Sequence, residues 1–297
     1  DKTPFYAESG GQIGDKGLLR SSTGKEIFVD DTLKWNDMVI HQARSSMPLT
    51  SEDFSSPLTA QIDDSRRRDT RRNHTATHLL QAALREVLGD HVQQSGSRVE
   101  PSGLRFDFTH FKALSSDELT EVERKVNEWI TDNLPVVTTV KDLDEAKAEG
   151  ATALFGEKYA RKVRVIDIAP VSKELCGGTH VSATGEIGFF HITSESSISA
   201  GIRRIEAITG RATVEYLHAK EKVITGLTGL LKAGEGKLLD SVQGLLDKIK
   251  ELEARVSELS SGLTSGIAEE IFEDARKNGG EFPWGVRNLG QVDKESF

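Results

Sequence analysis

Two short pairs of potential metal ligands lie far apart in this chain, and they restrict its fold more than any other feature. His74 and His78 are four residues apart, and so are Cys176 and His180 in the segment CGGTH. On a helix, residues four apart project from the same face, so the two histidines can act together. Three imidazoles and one thiolate form a tetrahedral set that suits zinc, which accepts both nitrogen and sulfur ligands. A metal ion at this set requires a fold that brings the two segments together.

The same residues also permit other interpretations. A helix often carries two histidines at this spacing as surface or core residues. Cys176 is the only cysteine, and it could be a buried structural residue or a nucleophile paired with a histidine. A protease of the H-E-x-x-H class is disfavoured, because the segment HTATH lacks the glutamate base. A single cysteine also excludes an internal disulfide and fits a reducing, cytoplasmic environment.

Residues 1–68 are predicted to form a small β-barrel-like domain. Glycines punctuate its beginning, including the adjacent Gly10 and Gly11. Adjacent glycines let a backbone approach a ligand closely, although a plain hairpin is the simpler interpretation. Short β-rich stretches follow at 27–29, 38–41 and 58–62. Short strands separated by turn residues are typical of a small barrel or sandwich.

Residues 69–210 are predicted to form an α+β domain. A helix is expected over 74–88, with Asn73 as its N-cap and Gly89 as its end. Ser116 is expected to cap a second helix. The apolar residues on one face of that helix are Leu119, Val122, Val126 and Ile130. Strand-like stretches are found at 104–111, 136–140, 163–168, 188–193 and 202–208. Helices and strands mixed without strict alternation indicate the α+β class.

Residues 211–297 are predicted to be a helical, coiled-coil region with a turn-rich tail. Apolar residues fall at alternating spacings of four and three between Leu238 and Leu263. A seam sustained over several heptads predicts a coiled coil. An earlier helix is expected over 212–232, and the two helices could pack as a hairpin or join two copies of the chain as a homodimer. The tail, 278–297, is short and rich in turn residues.

The overall charge of the chain is a poor match for nucleic acid. The formal net charge is -9, and nucleic-acid backbones are anionic. Any RNA contact must therefore use a local patch, of which the clearest is the arginine-rich run from Arg66 to Arg72. The alternative interpretation of this run is a solvated loop that leads into a helix. No apolar run approaches about 18 residues, so no membrane-spanning helix is expected.

Two further polar features are weak signals when taken alone. Gln94 follows the first predicted helix, and its amide can both donate and accept a hydrogen bond, but surface glutamines are common. Arg105 and Asp107 alternate with aromatic residues, and the default interpretation is an exposed cross-strand ion pair.

Five segments together resemble the editing region of alanyl-tRNA synthetases. They are FYAESGGQIGD, NHTATHLL, SGSRVEPSGLRFDFTHF, ALFGEKYARKVRV and ELCGGTHVSATGEIGFFHITSESSISAGIRRIEAITG. They match that family in order and in spacing, and the match covers about residues 1–215. The freestanding AlaX editing proteins share both ligand pairs but usually have a glycine triplet where this chain has SGG. The second domain of threonyl-tRNA synthetase is a more distant relative.

The resemblance implies a zinc-dependent deacylase that hydrolyses mischarged Ser-tRNA(Ala) and Gly-tRNA(Ala). It implies that the zinc ligands are His74, His78, Cys176 and His180. It implies that the editing pocket is lined by Gln94, Gly10, Gly11 and Gln12. Contacts with tRNA are expected at Arg71, Arg72 and Arg203. The alternatives are a freestanding AlaX-type trans-editing deacylase and a non-catalytic, zinc-stabilised module for tRNA binding or assembly.

Two roles for zinc remain open at this stage. If three protein ligands bind it, the fourth position can hold a water of lowered pKa or polarise the ester carbonyl. If all four bind it, the metal organises the pocket. We favour a zinc ion that orients the substrate while a water attacks the ester. The family's ATP-using aminoacylation domain has no counterpart in this chain, so we expect a fragment of a longer cytoplasmic enzyme, without aminoacylation activity.

Overall fold

A computed structural model describes residues 2–36, 38–152, 160–277 and 284. The chain falls into two compact units, Asp1–His218 and Ala219–Phe297. The first unit mixes helices with three sheets, and the second is helical, so the α+β class is confirmed. The predicted boundaries at residues 68 and 210 stay predictions. Among the described residues, no helix combines the length and the apolar character needed to cross a membrane.

The first sheet contains four antiparallel strands. They are β1 (Gly17–Arg20), β2 (Glu26–Trp35), β3 (Met38–Ser45) and β4 (Thr59–Ile62), in the order β3-β2-β1-β4. The strands predicted in this region are thereby confirmed, but the barrel is wrong, because in the described residues this sheet is open. Four short strands are too few to curl around a filled interior, which takes about eight in small barrels. The chain also leaves the sheet after β4 and enters a helix.

That helix, α1, spans Asp64–Leu88 and begins ten residues before the predicted start. Its N-cap is Asp63, whose side chain accepts a hydrogen bond from the backbone N–H of Arg66. Asn73, the predicted cap, lies buried in the middle of the helix. Asp and Asn are equally good cap residues, and arginine has a high helix propensity, so the helix continues through the arginine run. Gly89 is the C-cap, as predicted, and its φ is 115°.

The second sheet has one face covered by helices. Its strands are β5 (Gln94–Glu100), β6 (Gly103–Thr109), β10 (Phe190–Ser199) and β11 (Ile202–Thr209), in the order β10-β11-β6-β5. Alternate residues of β6 are buried, including Phe106 and Phe108, as period-two patterning predicts. The covering helices are α1 and α2 (Ser116–Thr131). The N-cap of α2 is Ser115 rather than Ser116, and it forms a capping box with Glu118.

The third sheet leads the chain to the CGGTH segment. Its strands are β7 (Val137–Asp142), β8 (Lys162–Ile168) and β9 (Ser172–Leu175), in the order β7-β8-β9, with helix α3 (Leu143–Ala148) between β7 and β8. Because β9 ends at Leu175, the next residue is Cys176. The backbone N–H of Cys176 donates to the carbonyl of Arg164 (3.0 Å), so β8 also holds the start of this segment.

The C-terminal helices are confirmed. Helix α4 spans Gly210–Leu231 and α5 spans Leu238–Lys277. The described residues of α5 include no buried side chain, and its apolar seam is half or more exposed at Leu245, Ile249 and Leu252. The coiled coil and the homodimer therefore stay predictions. The predicted turn-rich tail, 278–297, lies outside the described residues except for Trp284.

Candidate metal centre and adjoining cavity

The two ligand pairs converge on one point. Helix α1 presents His74 and His78 from one face, and the loop after β9 presents Cys176 and His180. One ligand atom from each of the four residues lies within 4.8 Å of every other. The Nε2 atoms of His74 and His180 lie 3.4 and 3.3 Å from the sulfur of Cys176. The three histidines are buried and the cysteine is partly buried.

The Nδ1 atom of each imidazole contacts a polar side chain that orients the ring. His74 Nδ1 lies 2.7 Å from the side-chain oxygen of Gln12. His78 Nδ1 lies 2.7 Å from Glu174 Oε2. His180 Nδ1 lies 3.2 Å from the hydroxyl of Thr75 on α1.

This pattern is typical of metal-binding histidines, whose second ring nitrogen is oriented by a carboxylate, a carbonyl or another polar group. It leaves the Nε2 atoms to face the shared centre.

The residues fit a zinc ion. His78 Nε2 is buried and, among the described residues, has no hydrogen-bond partner. A buried polar atom left without a partner destabilises the folded state by about 1–3 kcal/mol, which a metal ion at this atom would relieve. Four ligand atoms in a tetrahedron at zinc–ligand distances of about 2.0–2.3 Å are about 3.3–3.8 Å apart. The two separations from sulfur fall within that range, and because all four ligand atoms lie within 4.8 Å of one another, metal binding requires a contraction of at most about 1 to 1.5 Å.

The protonation states favour a cation at this centre. Burial alone would raise the pKa of the Cys176 thiol, but His74, His180 and His78 lower it well below its usual value. Burial, assisted by the charge of His74, lowers the pKa of His180 to about 3, so this imidazole is neutral and available as a ligand. Burial would lower the pKa of His78, but Glu174 and the thiolate raise it. A positive charge beside the sulfur, either a proton on His78 or a metal ion, therefore balances the thiolate.

One glycine of CGGTH is required by the geometry. A Cβ on Gly178 would overlap the ring of His74 and lie 3.0 Å from Gln12 Oε1. The loop can pass this close to the helix only because Gly178 has no side chain. A Cβ on the adjacent Gly177 would meet no atom within 4 Å.

A cavity of about 80 Å³ adjoins the ligands. Its lining includes Gly10, Thr77, Gln94, Ser97, Glu174 and Gly177, together with three of the four ligand candidates. Gln94 Nε2 donates to the Ser97 hydroxyl (3.1 Å), so hydroxyl and amide groups share one wall. The volume is far below the roughly 300–1,000 Å³ of drug-sized sites, and it suits a small polar group.

The pocket residues predicted from the sequence divide into two groups. Gln94 and Gly10 line the cavity. Gly11 lies against Ser97, where an added Cβ would overlap the serine, and Gln12 is fully buried behind His74.

Sequence reasoning missed the contribution of Thr75, Thr77, Ser97 and Glu174. The available signal was position, since both threonines lie within HTATH, Ser97 lies in the segment that begins SGSRV, and Glu174 lies two residues before Cys176.

The arginines predicted to contact tRNA all have partners within the chain. Arg71 donates to the backbone carbonyl of His180. Arg72 donates to the carbonyl of Glu186 (2.8 Å) and pairs with Asp69. The Nε of Arg203 lies 2.6 Å from a carboxylate oxygen of Glu195. Their role in tRNA binding stays a prediction.

Two interpretations of the charged residues were wrong. The arginine run is part of α1 and not a loop. Arg105 and Asp107 lie on the same strand, β6, with 4.0 Å between Arg105 Nε and Asp107 Oδ1. The cross-strand partner of Asp107 is Arg204, through two contacts of 2.7 and 2.8 Å.

Comparisons with known proteins identify relatives for nearly the whole chain. Residues 163–206 match the family described as threonyl and alanyl tRNA synthetase second additional domain, and residues 1–66 match class II (A) tRNA synthetases. The alanine–tRNA ligase of Fervidobacterium nodosum is 46% identical over 93% of this chain and 31% of its own length. That of Thermotoga petrophila is 49% identical over 86% of this chain and 30% of its own length. That of Francisella tularensis is 44% identical over 100% of this chain and 34% of its own length.

Proposed function

This chain is a homologue of alanine–tRNA ligases that spans about a third of their length, and on that premise we propose that it hydrolyses the ester of tRNA(Ala) mischarged with serine or glycine. The observation that carries the proposal is the convergence of His74, His78, Cys176 and His180 beside a small polar cavity. The ligands come from two distant segments, so the centre exists only when the first unit is folded. The cavity has room for a small group at the end of a larger substrate.

The side chains around the cavity suit an ester that carries a small amino acid. His74, His78, Cys176 and His180 would hold a zinc ion, which would act as a Lewis acid beside the cavity. Gln94 and Ser97 offer an amide and a hydroxyl that can bind the substrate and orient it. Gln12, Glu174 and Thr75 hold the histidine rings in place. Esters are activated acyl groups, so positioning the attacking water accounts for much of the rate increase.

Selection for serine has a physical basis in this lining. A hydrophobic synthetic pocket cannot strongly reject an amino acid that merely adds a hydroxyl. A second site can require that hydroxyl, because polar groups left unpaired by alanine cost about 1–3 kcal/mol each. Gln94 is our candidate for the group that contacts the hydroxyl, since it lies on the cavity wall within hydrogen-bond distance of Ser97.

One observation favours a second candidate function. Four protein ligands close the coordination shell of zinc, and closed shells are typical of structural zinc sites. The alternative is therefore a non-catalytic module that zinc stabilises for tRNA binding or assembly. Exposure of the apolar seam of α5 agrees with assembly, and sedimentation of the whole chain tests whether two copies associate.

A deacylation assay separates the two functions. The zinc-loaded chain is mixed in excess with seryl-, glycyl- or alanyl-tRNA(Ala), and the loss of ester is followed over a single turnover. We expect seryl- and glycyl-tRNA to be hydrolysed faster than alanyl-tRNA, and Gln94→Ala to slow the seryl reaction. Using the enzyme in excess removes any dependence on turnover and compensates for weak tRNA binding.

The outcomes are distinct. Binding of the charged tRNA without any increase in hydrolysis over buffer would support the non-catalytic module and reject the deacylase. Equal rates for seryl- and alanyl-tRNA would support a deacylase but reject the proposed selection. A freestanding enzyme and a part of a longer synthetase are distinguished by the full-length coding sequence.

A further inference from the structure

Gln12 lies in the glycine-rich loop near the start of the chain and is fully buried. Its side-chain oxygen lies 2.7 Å from His74 Nδ1 and accepts from the backbone N–H of Thr179 (2.9 Å). Its side-chain nitrogen donates to the Thr179 hydroxyl (3.0 Å). One glutamine thus joins the loop to both metal-binding segments.

The chemistry of these contacts determines the tautomer of His74. A backbone N–H can only donate, so the Gln12 atom that faces Thr179 N must be the amide oxygen. That same oxygen faces His74 Nδ1 and can only accept, so Nδ1 must carry the hydrogen. Nε2 is therefore the ring nitrogen of His74 that can bind a metal ion once it is free of a proton, and it lies 3.4 Å from the sulfur of Cys176.

The loop itself is attached firmly enough to hold this geometry. The carbonyl of Gly11 accepts from the N–H of Val99 on β5 (2.7 Å), and the N–H of Ile13 donates to the carbonyl of Val99 (3.1 Å). Gly11 has a φ of +81°, and an added Cβ would overlap Ser97. The residues on both sides of Gln12 are therefore bound to the same strand.

We propose that Gln12 is a positioning residue that holds His74 in its metal-binding tautomer and orientation, so that the glycine-rich loop is part of the metal centre. The resemblance to the synthetases implied instead that Gln12 lines the pocket. The inference deepens the proposed function, because the loop then controls how well the centre is formed. It concerns metal binding alone and does not depend on deacylation.

The test compares three variants of the whole chain. Gln12→Leu removes the acceptor while keeping a similar volume. Gln12→Glu keeps an acceptor for His74, as in the carboxylate–histidine–zinc arrangement of many metal sites. The matched control is Gln81→Leu, which changes another buried glutamine, located on α1. Within the described part of the chain, Gln81 has no hydrogen bond to any of the four ligand candidates.

Zinc affinity is measured by competition with a chelator. We expect Gln12→Leu to bind zinc about 10–100-fold more weakly, as is typical when a group that orients a ligand is lost. The zinc affinities of Gln12→Glu and Gln81→Leu are expected to stay within about threefold of that of the unmodified chain. The first variant keeps the acceptor for His74, and the second changes a residue that orients none of the ligand candidates. The nitrogen NMR shifts of His74 report its tautomer directly, and the absorption spectrum of the cobalt-substituted chain reports the ligand geometry.

Two results would overturn the inference. One is wild-type zinc affinity with an unchanged His74 tautomer in Gln12→Leu. The other is an equal loss of affinity in Gln12→Glu and Gln12→Leu, since that pattern indicates packing rather than hydrogen bonding. If Gln12→Leu fails to fold, as judged by circular dichroism, the zinc affinity of Gln12→Glu and the His74 tautomer in the NMR spectrum of the unmodified chain still test the inference. A chain that binds zinc as expected but does not deacylate would reject the proposed function and leave this inference standing.

Discussion

Gly178→Ala is the substitution that tests the geometry of the metal centre most directly. A Cβ at this position would overlap Cε1 and Nδ1 of His74 and lie 3.0 Å from Gln12 Oε1. The ring would have to withdraw by about 1.4 Å for its nearest atom to regain the 3.4 Å at which ordinary van der Waals contact begins. Metal–ligand distances tolerate about 0.2 Å. His74 would therefore no longer bind a metal held by the other three residues.

The loop cannot relieve this overlap by moving away. The carbonyl of Gly178 accepts from the Arg164 side chain, and the N–H of Cys176 donates to the Arg164 carbonyl. Overpacking at such a site costs about 1–3 kcal/mol. The loss of an oriented ligand lowers metal affinity by at least the 10–100-fold seen when only its supporting group is removed, which is about 1.4–2.7 kcal/mol. We expect zinc-dependent stabilisation to fall by at least that amount.

The assay is chelator competition for zinc, combined with thermal unfolding with and without the metal. Gly177→Ala is the matched control, because an added Cβ there meets nothing within 4 Å and the chemical change is the same. The control should bind zinc like the unmodified chain and show the same rise in melting temperature on zinc addition. Equal zinc affinity in the two variants would refute the contact between the loop and His74, and with it the arrangement of the centre.

Three further predictions follow from single residues. Cys176→Ala should lose zinc and deacylation together, and stoichiometric metal by mass spectrometry would show that the ligand assignment is wrong. Gln94→Ala should slow seryl-tRNA hydrolysis by about tenfold, because losing about 1.4 kcal/mol of hydrogen-bond energy in the transition state lowers the rate by that factor. Unchanged single-turnover kinetics would reject a role for Gln94 in binding the serine hydroxyl. Hydrogen bonds from the Ser115 backbone and from Lys112 lower the pKa of Glu118 to about 2. The ionised carboxylate therefore stabilises the folded chain fully at pH values above the pKa of about 4.3 that glutamate has in the unfolded chain. This stabilisation disappears as the pH falls toward 2. Urea unfolding across that range should therefore show the stability difference between the chain and Glu118→Gln shrinking with acid, and a constant difference would contradict this explanation.

Much of the local structure follows from patterns of a few residues. The alternation of Phe106 and Phe108 predicted β6, and its buried face agrees. The four-residue spacing of His74 and His78 required only a helix to place both on one face, because helical periodicity is a property of the backbone. The start of α1 was not predictable in this way, since Asp63 and Asn73 are equally suitable caps. Tertiary contacts decide between them. Asn73 is buried, where its amide donates to the Glu100 carbonyl (2.7 Å) and accepts from Thr209 (2.7 Å).

The candidate metal ligands could be proposed from residue types and spacing, but the contacts that orient them could not. Histidine and cysteine are preferred zinc ligands, so the two pairs could be proposed as ligands without coordinates, with the resemblance to the synthetases favouring zinc over the other interpretations of Cys176. The groups that orient them, among them Gln12 and Glu174, are ordinary polar residues whose role arises from contacts across the fold. The same holds for Arg71, whose contact with the backbone carbonyl of His180 arises from the fold, while its role in tRNA binding stays a prediction. Local periodicity acts over a few residues, whereas the partner of a buried polar group depends on which segments the folded core brings together.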